Sequence, residues 1–199
     1  MPVIGITGGI ATGKTAFSQA IRAALPNAPF FDADIAVREL TDGDAEVKAL
    51  IEATFGNDIF SAVGDLNRAR LRSIVFADPE KKRALEQILH PRIRRQWALE
   101  SERRRNSTEI FFADIPLLYE TGGETLCDLV VVVACSPQVQ LERLVARDGL
   151  DQTAALEMIA AQMPLTDKMR GADHVVWNNG PRGILEAQAE TLAAHWSRK

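Results

Sequence analysis

The chain has 199 residues, of which 46% are hydrophobic and 25% charged, and its formal net charge is -4. That length and balance predict one compact domain and exclude a disordered chain. Net acidity argues against a general nucleic-acid binder, which would present a basic surface. The two cysteines, Cys127 and Cys135, form no CxxC pair and no metal-ligand spacing. They are expected to be buried, reduced thiols in a cytoplasmic protein. No basic leader precedes an apolar run, so no signal peptide is expected. The longest strongly apolar stretch, Leu129–Cys135, is too short to span a bilayer.

In chain order, Val3–Thr7 is almost wholly apolar and reads as a strand buried on both faces. A glycine-rich stretch follows, then a helical pattern over Ala16–Leu25. Phe30–Ala33 reads as a second strand, and Ile35, Val37 and Leu40 as the apolar side of the next helix. Ala45–Phe55 carries Val47, Leu50, Ile51 and Phe55 at helical spacing. Turns are expected at Gly56-Asn57-Asp58 and Val63-Gly64-Asp65. The third strand is expected at Ile110–Ala113, about 75 residues after the second, far beyond the dozen that a crossover needs.

Leu129–Cys135 reads as the fourth strand, Gln138–Arg147 as a helix, His174–Trp177 as the fifth strand and Ile184–Trp196 as a closing amphipathic helix. Strand and helix in alternation predict an α/β fold with right-handed crossovers. The two long connections are expected to be a binding lobe and a lid. The predicted division is a core of about 1–54, 109–137 and 173–199, an acceptor lobe of about 55–108 and a lid of about 138–172.

Gly8-Gly9-Ile10-Ala11-Thr12-Gly13-Lys14-Thr15 matches G-x-x-x-x-G-K-[ST]. Glycines let the backbone bring its N–H groups close to phosphates, and the following helix adds the positive end of its dipole. Lys14 would reach the β- and γ-phosphates, and the Thr15 hydroxyl would ligate Mg²⁺. The motif lies between an apolar strand and a helical pattern, as it requires. The fold class expected is therefore α/β, a three-layer P-loop NTPase-type core with a five-stranded parallel sheet, plus a helical lobe and a helical lid.

A kinase needs a base for the acceptor hydroxyl and cations for the transferring charge. Asp32-Ala33-Asp34 ends the second strand, where ligands of open parallel sheets sit. The pair either supplies the base or caps the following helix. Arg143, Arg147, Lys168 and Arg170 are candidate cations in the second excursion; Arg143 and Arg147 share a helical face that is either a lid or a solvated surface. Asp114 could serve as a Walker B carboxylate or be a polar strand end. Lys81-Lys82-Arg83, Arg92-Arg94-Arg95 and Arg103-Arg104-Arg105 read as solvated faces, with one cluster able to hold an anionic acceptor. No N-K-x-D guanine-reading motif occurs.

Together these motifs resemble the dephospho-coenzyme A kinase family, nearly end to end. The resemblance is carried by Gly5-Ile6-Thr7-Gly8-Gly9-Ile10, Asp32-Ala33-Asp34 with Arg38, Ile74-Val75-Phe76, Leu89-His90-Pro91 and Ile115-Pro116-Leu117-Leu118-Tyr119-Glu120. It continues through Gln140-Leu141-Glu142-Arg143, Arg147-Asp148, Gln162-Met163-Pro164, Lys168, Ala172-Asp173 and Asn178-Asn179-Gly180. It implies transfer of the ATP γ-phosphate to the ribose 3′-hydroxyl of dephospho-coenzyme A, with Mg²⁺ bridging the phosphates. It implies Asp34 as base, with Asp32 the alternative, and Lys14 and Arg143 as catalytic cations, with Arg147 second. ATP would be held by Gly9, Ile10, Ala11, Thr12, Gly13, Lys14, Thr15 and Ala16, by both arginines, and by Asn178 and Asn179 at the adenine. Thr7, Asp32, Asp34, Arg38, His90 and Leu117 would line the acceptor site, although His90 can equally be a structural histidine.

The partners implied are ATP and dephospho-coenzyme A, with no nucleic acid and no membrane, in a cytoplasmic monomer or weak homo-oligomer. Ala11-Thr12 stands where Gly-Ser is usual in the family, Thr15 where Ser is, and Tyr119 where Phe is common. Ala11 fits only if its position needs no positive φ. Two rival readings are another small-molecule kinase and a nucleotide-dependent binding module. The lobe and lid motifs count against the first, and the Asp pair and missing guanine motif against the second.

Overall fold

In the computed structural model, which describes residues 2–104, 107 and 109–198, the five apolar runs become one parallel sheet. The strands are β1 (Val3–Gly8), β2 (Phe30–Asp32), β3 (Phe111–Asp114), β4 (Leu129–Ala134) and β5 (His174–Trp177), in the order β2-β3-β1-β4-β5. β1 lies at the centre, with Ile6 in register with Asp114 on one side and Val131 on the other. Every residue of β1 is buried, which is why its sequence shows no alternation of polarity.

The strand's period of two divides its side chains between two faces. Ile4 and Ile6 join Phe17, Ile21, Phe112, Val131, Val133, Leu185, Ala189 and Trp196 in the main core. Phe17 and Ile21 come from α1 (Lys14–Ala24), and Leu185 to Trp196 from α9 (Arg182–Trp196). Gly5 points the other way, where a Cβ would lie 2.6 Å from Cys127 Sγ and 2.9 Å from Leu118 Cδ2. Burying a side chain such as Phe17 or Ile21 contributes about 1.5–3 kcal/mol.

The chain divides into two compact units, 1–31 with 100–199, and 32–99. The second unit is helical: α2 (Ala33–Gly43), α3 (Ala45–Phe55), α4 (Arg68–Ala77) and most of α5 (Pro79–Arg104). It begins earlier than the expected lobe of 55–108. The reason is packing: Leu40 of α2 and Val47, Ile51 and Phe55 of α3 share one apolar cluster with Ile59, Leu66, Leu71, Ile88 and Leu89. The expected lid, α6 (Pro137–Asp148), α7 (Gln152–Ala160) and α8 (Leu165–Arg170), belongs to the first unit.

Helix boundaries follow local chemistry. Asp44 accepts from the N–H groups of Glu46 and Val47 at the start of α3, and Asp151 from that of Ala154 at the start of α7. Pro137 opens α6 after the cap Ser136, and Gly149 closes it at φ 64°. Both cysteines are unpaired; Cys135 is buried and Cys127 half-buried. No helix among the described residues is long and apolar enough to cross a membrane.

Candidate active site

The glycine-rich loop joins the central strand to α1 at the carboxyl edge of the sheet. Gly13 has φ 96°, and a Cβ there would lie 2.1 Å from Asn178 Nδ2, so both backbone and space require glycine. Gly9 to Thr12 forms a tight turn, with the Thr12 N–H and hydroxyl both donating to Gly9 O at 3.3 and 2.9 Å. Ala11 is the third residue of that turn and has φ 59°. It is the one non-glycine residue with positive φ among those described. The sequence reading allowed Ala11 only where no positive φ is needed, and that condition is not met. The left-handed conformation costs an L-residue about 1–2 kcal/mol, so something else holds the turn.

Lys14 starts α1 and pairs with Asp114 Oδ1, and Ser18 Oγ, one turn on, donates to Asp114 Oδ2 at 2.6 Å. Asp114 is thus a buried carboxylate with a cation on one oxygen and a hydroxyl on the other. Its position at the end of β3, beside β1, is what brings it to Lys14 across 100 residues of chain. Ser18 was missed from sequence, where a serine on a helix carries no signal. Thr15 is exposed in the first turn of α1, and Ala16 packs against the main core.

Side chains from 136–178 fasten the loop. Gln162 Oε1 accepts from Ile10 N–H at 2.8 Å, and Gln140 Nε2 donates to Ile10 O at 2.8 Å. Asn178 Nδ2 donates to Thr12 O at 2.8 Å, and Arg143 Nη1 lies 3.5 Å from the same oxygen. Asn179 Oδ1 accepts from Ser136 N–H at 2.8 Å. The two asparagines expected at adenine therefore each hold protein backbone. Arg143 also hydrogen-bonds Cys135, whose thiol burial pushes up while the guanidinium pulls it down. Arg147 is exposed one turn further along α6.

Lys168, read as a lid cation, is fully buried. Its Nζ donates to Gly8 O at 3.3 Å and Pro116 O at 3.1 Å, and pairs with Glu120 Oε1 at 2.8 Å. An ammonium has three protons, and all three are engaged. That corrects the reading: Lys168 is a fastener of the loop, not a mobile charge. Arg170, the fourth candidate, pairs with Asp167 on the surface at 2.7 Å. Thr7 is wholly buried and donates to Pro116 O at 3.0 Å, while Leu117 is half-buried in the turn after β3.

In the second unit, Asp32 accepts from the N–H groups of Asp34 and Ile35, at 3.0 and 3.2 Å, and so caps α2. This ends β2 one residue early, and α2 starts at Ala33. Asp34 instead lies exposed in the first turn of the helix, four residues before exposed Arg38 on the same face. His90 is half-buried on α5. The basic clusters are largely engaged: Lys81 with Thr54 O, Arg83 with Glu80, Arg92 with Glu46, and Arg103 and Arg104 with Glu100. Arg105 lies outside the described residues.

A central parallel strand, a G-x-x-x-x-G-K-T loop and a helix that opens on that lysine, with a carboxylate at the end of the adjoining strand, define a phosphate-loop kinase. A model of the dephospho-CoA kinase family matches residues 2–182. Relatives named dephospho-CoA kinase include one from Anaeromyxobacter dehalogenans, 43% identical over 98% of this chain and 92% of its own. One from Bacillus anthracis is 36% identical over 98% of this chain and 97% of its own. A crystal structure from Thermus thermophilus superposes with TM-score 0.73 at 32% identity, covering 97% of this chain and 96% of that one. A dephospho-CoA kinase from Campylobacter jejuni gives TM-score 0.69 at 25% identity, over 99% and 98%. A shikimate kinase from Bacteroides thetaiotaomicron shares the fold alone, with TM-score 0.54 at 16% identity. The chain belongs to the dephospho-CoA kinase family.

Proposed function

We propose that this chain transfers the γ-phosphoryl group of ATP to the 3′-hydroxyl of dephospho-coenzyme A, giving coenzyme A and ADP. The observation that carries the reading is the Lys14–Asp114–Ser18 arrangement beneath the glycine loop, in a chain matched by the family over residues 2–182. The loop's N–H groups and the start of α1 would cradle the β- and γ-phosphates. Lys14 would move from Asp114 to the phosphates, and Arg143, already beside Thr12 O, would add positive charge where the transferring oxygens carry it.

Asp34 would take the proton of the acceptor hydroxyl as its oxygen forms the new bond to phosphorus and the bond to the ADP oxygen breaks. Asp34 lies exposed in the first turn of α2, and the Asp32 carboxylate caps that helix. Thr15 and Asp114 offer hydroxyl and carboxylate oxygens, a donor set that suits Mg²⁺ arriving with the nucleotide and otherwise ligated by phosphate and water. When bound, that ion neutralises phosphate charge. Arg38, His90 and Leu117 are the proposed acceptor contacts, and the substrates are expected to be small molecules only, in the cytoplasm.

The test is ADP release by the purified protein with ATP, Mg²⁺ and a panel of acceptors. Stimulation by dephospho-coenzyme A is expected. No stimulation over the acceptor-free control would refute the reading, and stimulation by a different alcohol would move it to another kinase of the same fold.

A further inference from the structure

We infer that Gln140 and Gln162 are positioning residues for nucleotide binding: they clamp the Ile10 peptide groups and hold Ala11 in the left-handed conformation that shapes the phosphate nest. The inference rests on the reading that this loop takes a triphosphate.

The amide orientations are fixed by their partners. An N–H can only donate, so the Gln162 atom at Ile10 N is oxygen; a carbonyl can only accept, so the Gln140 atom at Ile10 O is nitrogen. Holding the Ile10 carbonyl sets the peptide plane that precedes Ala11, and holding the Ile10 N–H sets the plane before that one. The peptide that follows Ala11 is held through the Thr12 N–H, which donates to Gly9 O at 3.3 Å, and Asn178 and Arg143 hold the carbonyl of Thr12 one peptide further on. Ala11 therefore sits between two fixed peptides and takes φ 59° as the third residue of the turn. A turn of this kind ordinarily needs glycine there.

Two further observations show that the clamp is built. Gly9 leaves the space through which Gln140 reaches, since a Cβ on Gly9 would lie 2.7 Å from Nε2. Gln162 is itself held by a ring of bonds that returns to the loop. The N–H of Met163, its neighbour, donates to Glu120 Oε1 at 3.0 Å, the same carboxylate pairs with Lys168, and Lys168 donates to Gly8 O. Every bond in that ring lies within one compact unit. Satisfied networks of this kind keep a single geometry. The loop's shape is thus set from 140–178 and not by its own glycines alone.

The test is a double-mutant cycle on the equilibrium affinity for MgATP, measured by calorimetry without acceptor. Gln162→Leu and Gln140→Leu are each expected to weaken MgATP binding about tenfold. With glycine at position 11 the turn no longer needs forcing, so in the Ala11→Gly background the same substitutions should cost about threefold or less. An equal loss in both backgrounds, or no loss in either, overturns the clamp. Should one leucine variant fail to fold, the other carries the same cycle. In the unsubstituted chain without nucleotide, the Ile10 amide should exchange slowly; exchange at the rate of an open amide also overturns it. Since no acceptor is present, intact MgATP affinity with no turnover on dephospho-coenzyme A would sink the proposed reaction and leave the clamp standing.

Discussion

Replacing Lys168 with methionine keeps the length of the side chain and removes its three donors. Two of the three acceptors keep other partners: Pro116 O still receives the Thr7 hydroxyl at 3.0 Å, and Glu120 still receives Met163 N–H at 3.0 Å. Glu120 nonetheless loses its cation. Removing one member of a buried ion pair costs about 3–5 kcal/mol, because the other is left uncompensated. The Glu120 side chain is 22% exposed, so water recovers part of that, and the lower end of the range applies. A loss of about 3 kcal/mol in a chain of this size lowers Tm by about 6–12 °C. Thermal unfolding followed by circular dichroism at neutral pH measures it. Were Lys168 instead a solvated cation closing over phosphate, Lys168→Met would abolish turnover and leave Tm within about 2 °C. That outcome would refute the assignment of Lys168 to the packed interior.

Asp34→Asn should lower kcat about 10²–10⁴-fold while MgATP affinity holds, because it removes a proton acceptor and no phosphate contact. Near-normal turnover would move the base elsewhere, first to Asp32. Asp32→Ala removes the cap of α2 and should lower stability by about 0.5–2 kcal/mol in urea unfolding. Lys14→Ala should reduce turnover about 10²–10³-fold in a chain still folded by circular dichroism, with Asp114 retaining the Ser18 hydroxyl. Burial first, and then the carboxylates of Asp128 and Glu124, push the Cys127 thiol from 9.0 up to about 12. The unfolded thiol loses its proton from about pH 9 while the folded one keeps it, so this group's contribution to stability falls as pH rises from 9 towards 12. The slope is at most about 1.4 kcal/mol per pH unit. Cys127→Ala should flatten the decline in urea stability over that window, and an unchanged slope would refute it.

Much of the architecture was legible because it is written in local pattern. The runs at Val3 and Leu129 are apolar without alternation because both faces of a parallel sheet are covered, and each became a strand within a residue of its expected ends. The phosphate loop was legible because its chemistry needs particular residues at fixed spacing. Boundaries that depend on a side chain's partner were not. β2 stops at Asp32 because that carboxylate turns back onto the N–H groups of the next helix. The second compact unit begins at 32 because α2 and α3 bury their apolar faces in the same cluster as α4 and α5.

What the sequence by itself determined is the loop, its lysine and threonine, the strand before it and the helix after it. All lie within a few turns of chain, and spacing alone relates them. Tertiary structure decided which residues serve the loop. Asp114 reaches Lys14 only because β3 lies beside β1. Lys168 looks like any lid cation until burial engages its three donors, and Gln140 and Gln162 look like surface residues until they meet Ile10. Hydrogen-bond partners about 50 or more residues apart leave no period and no spacing to read. That is why the left-handed Ala11 could be flagged in the sequence as a residue to check, while what holds it there could not.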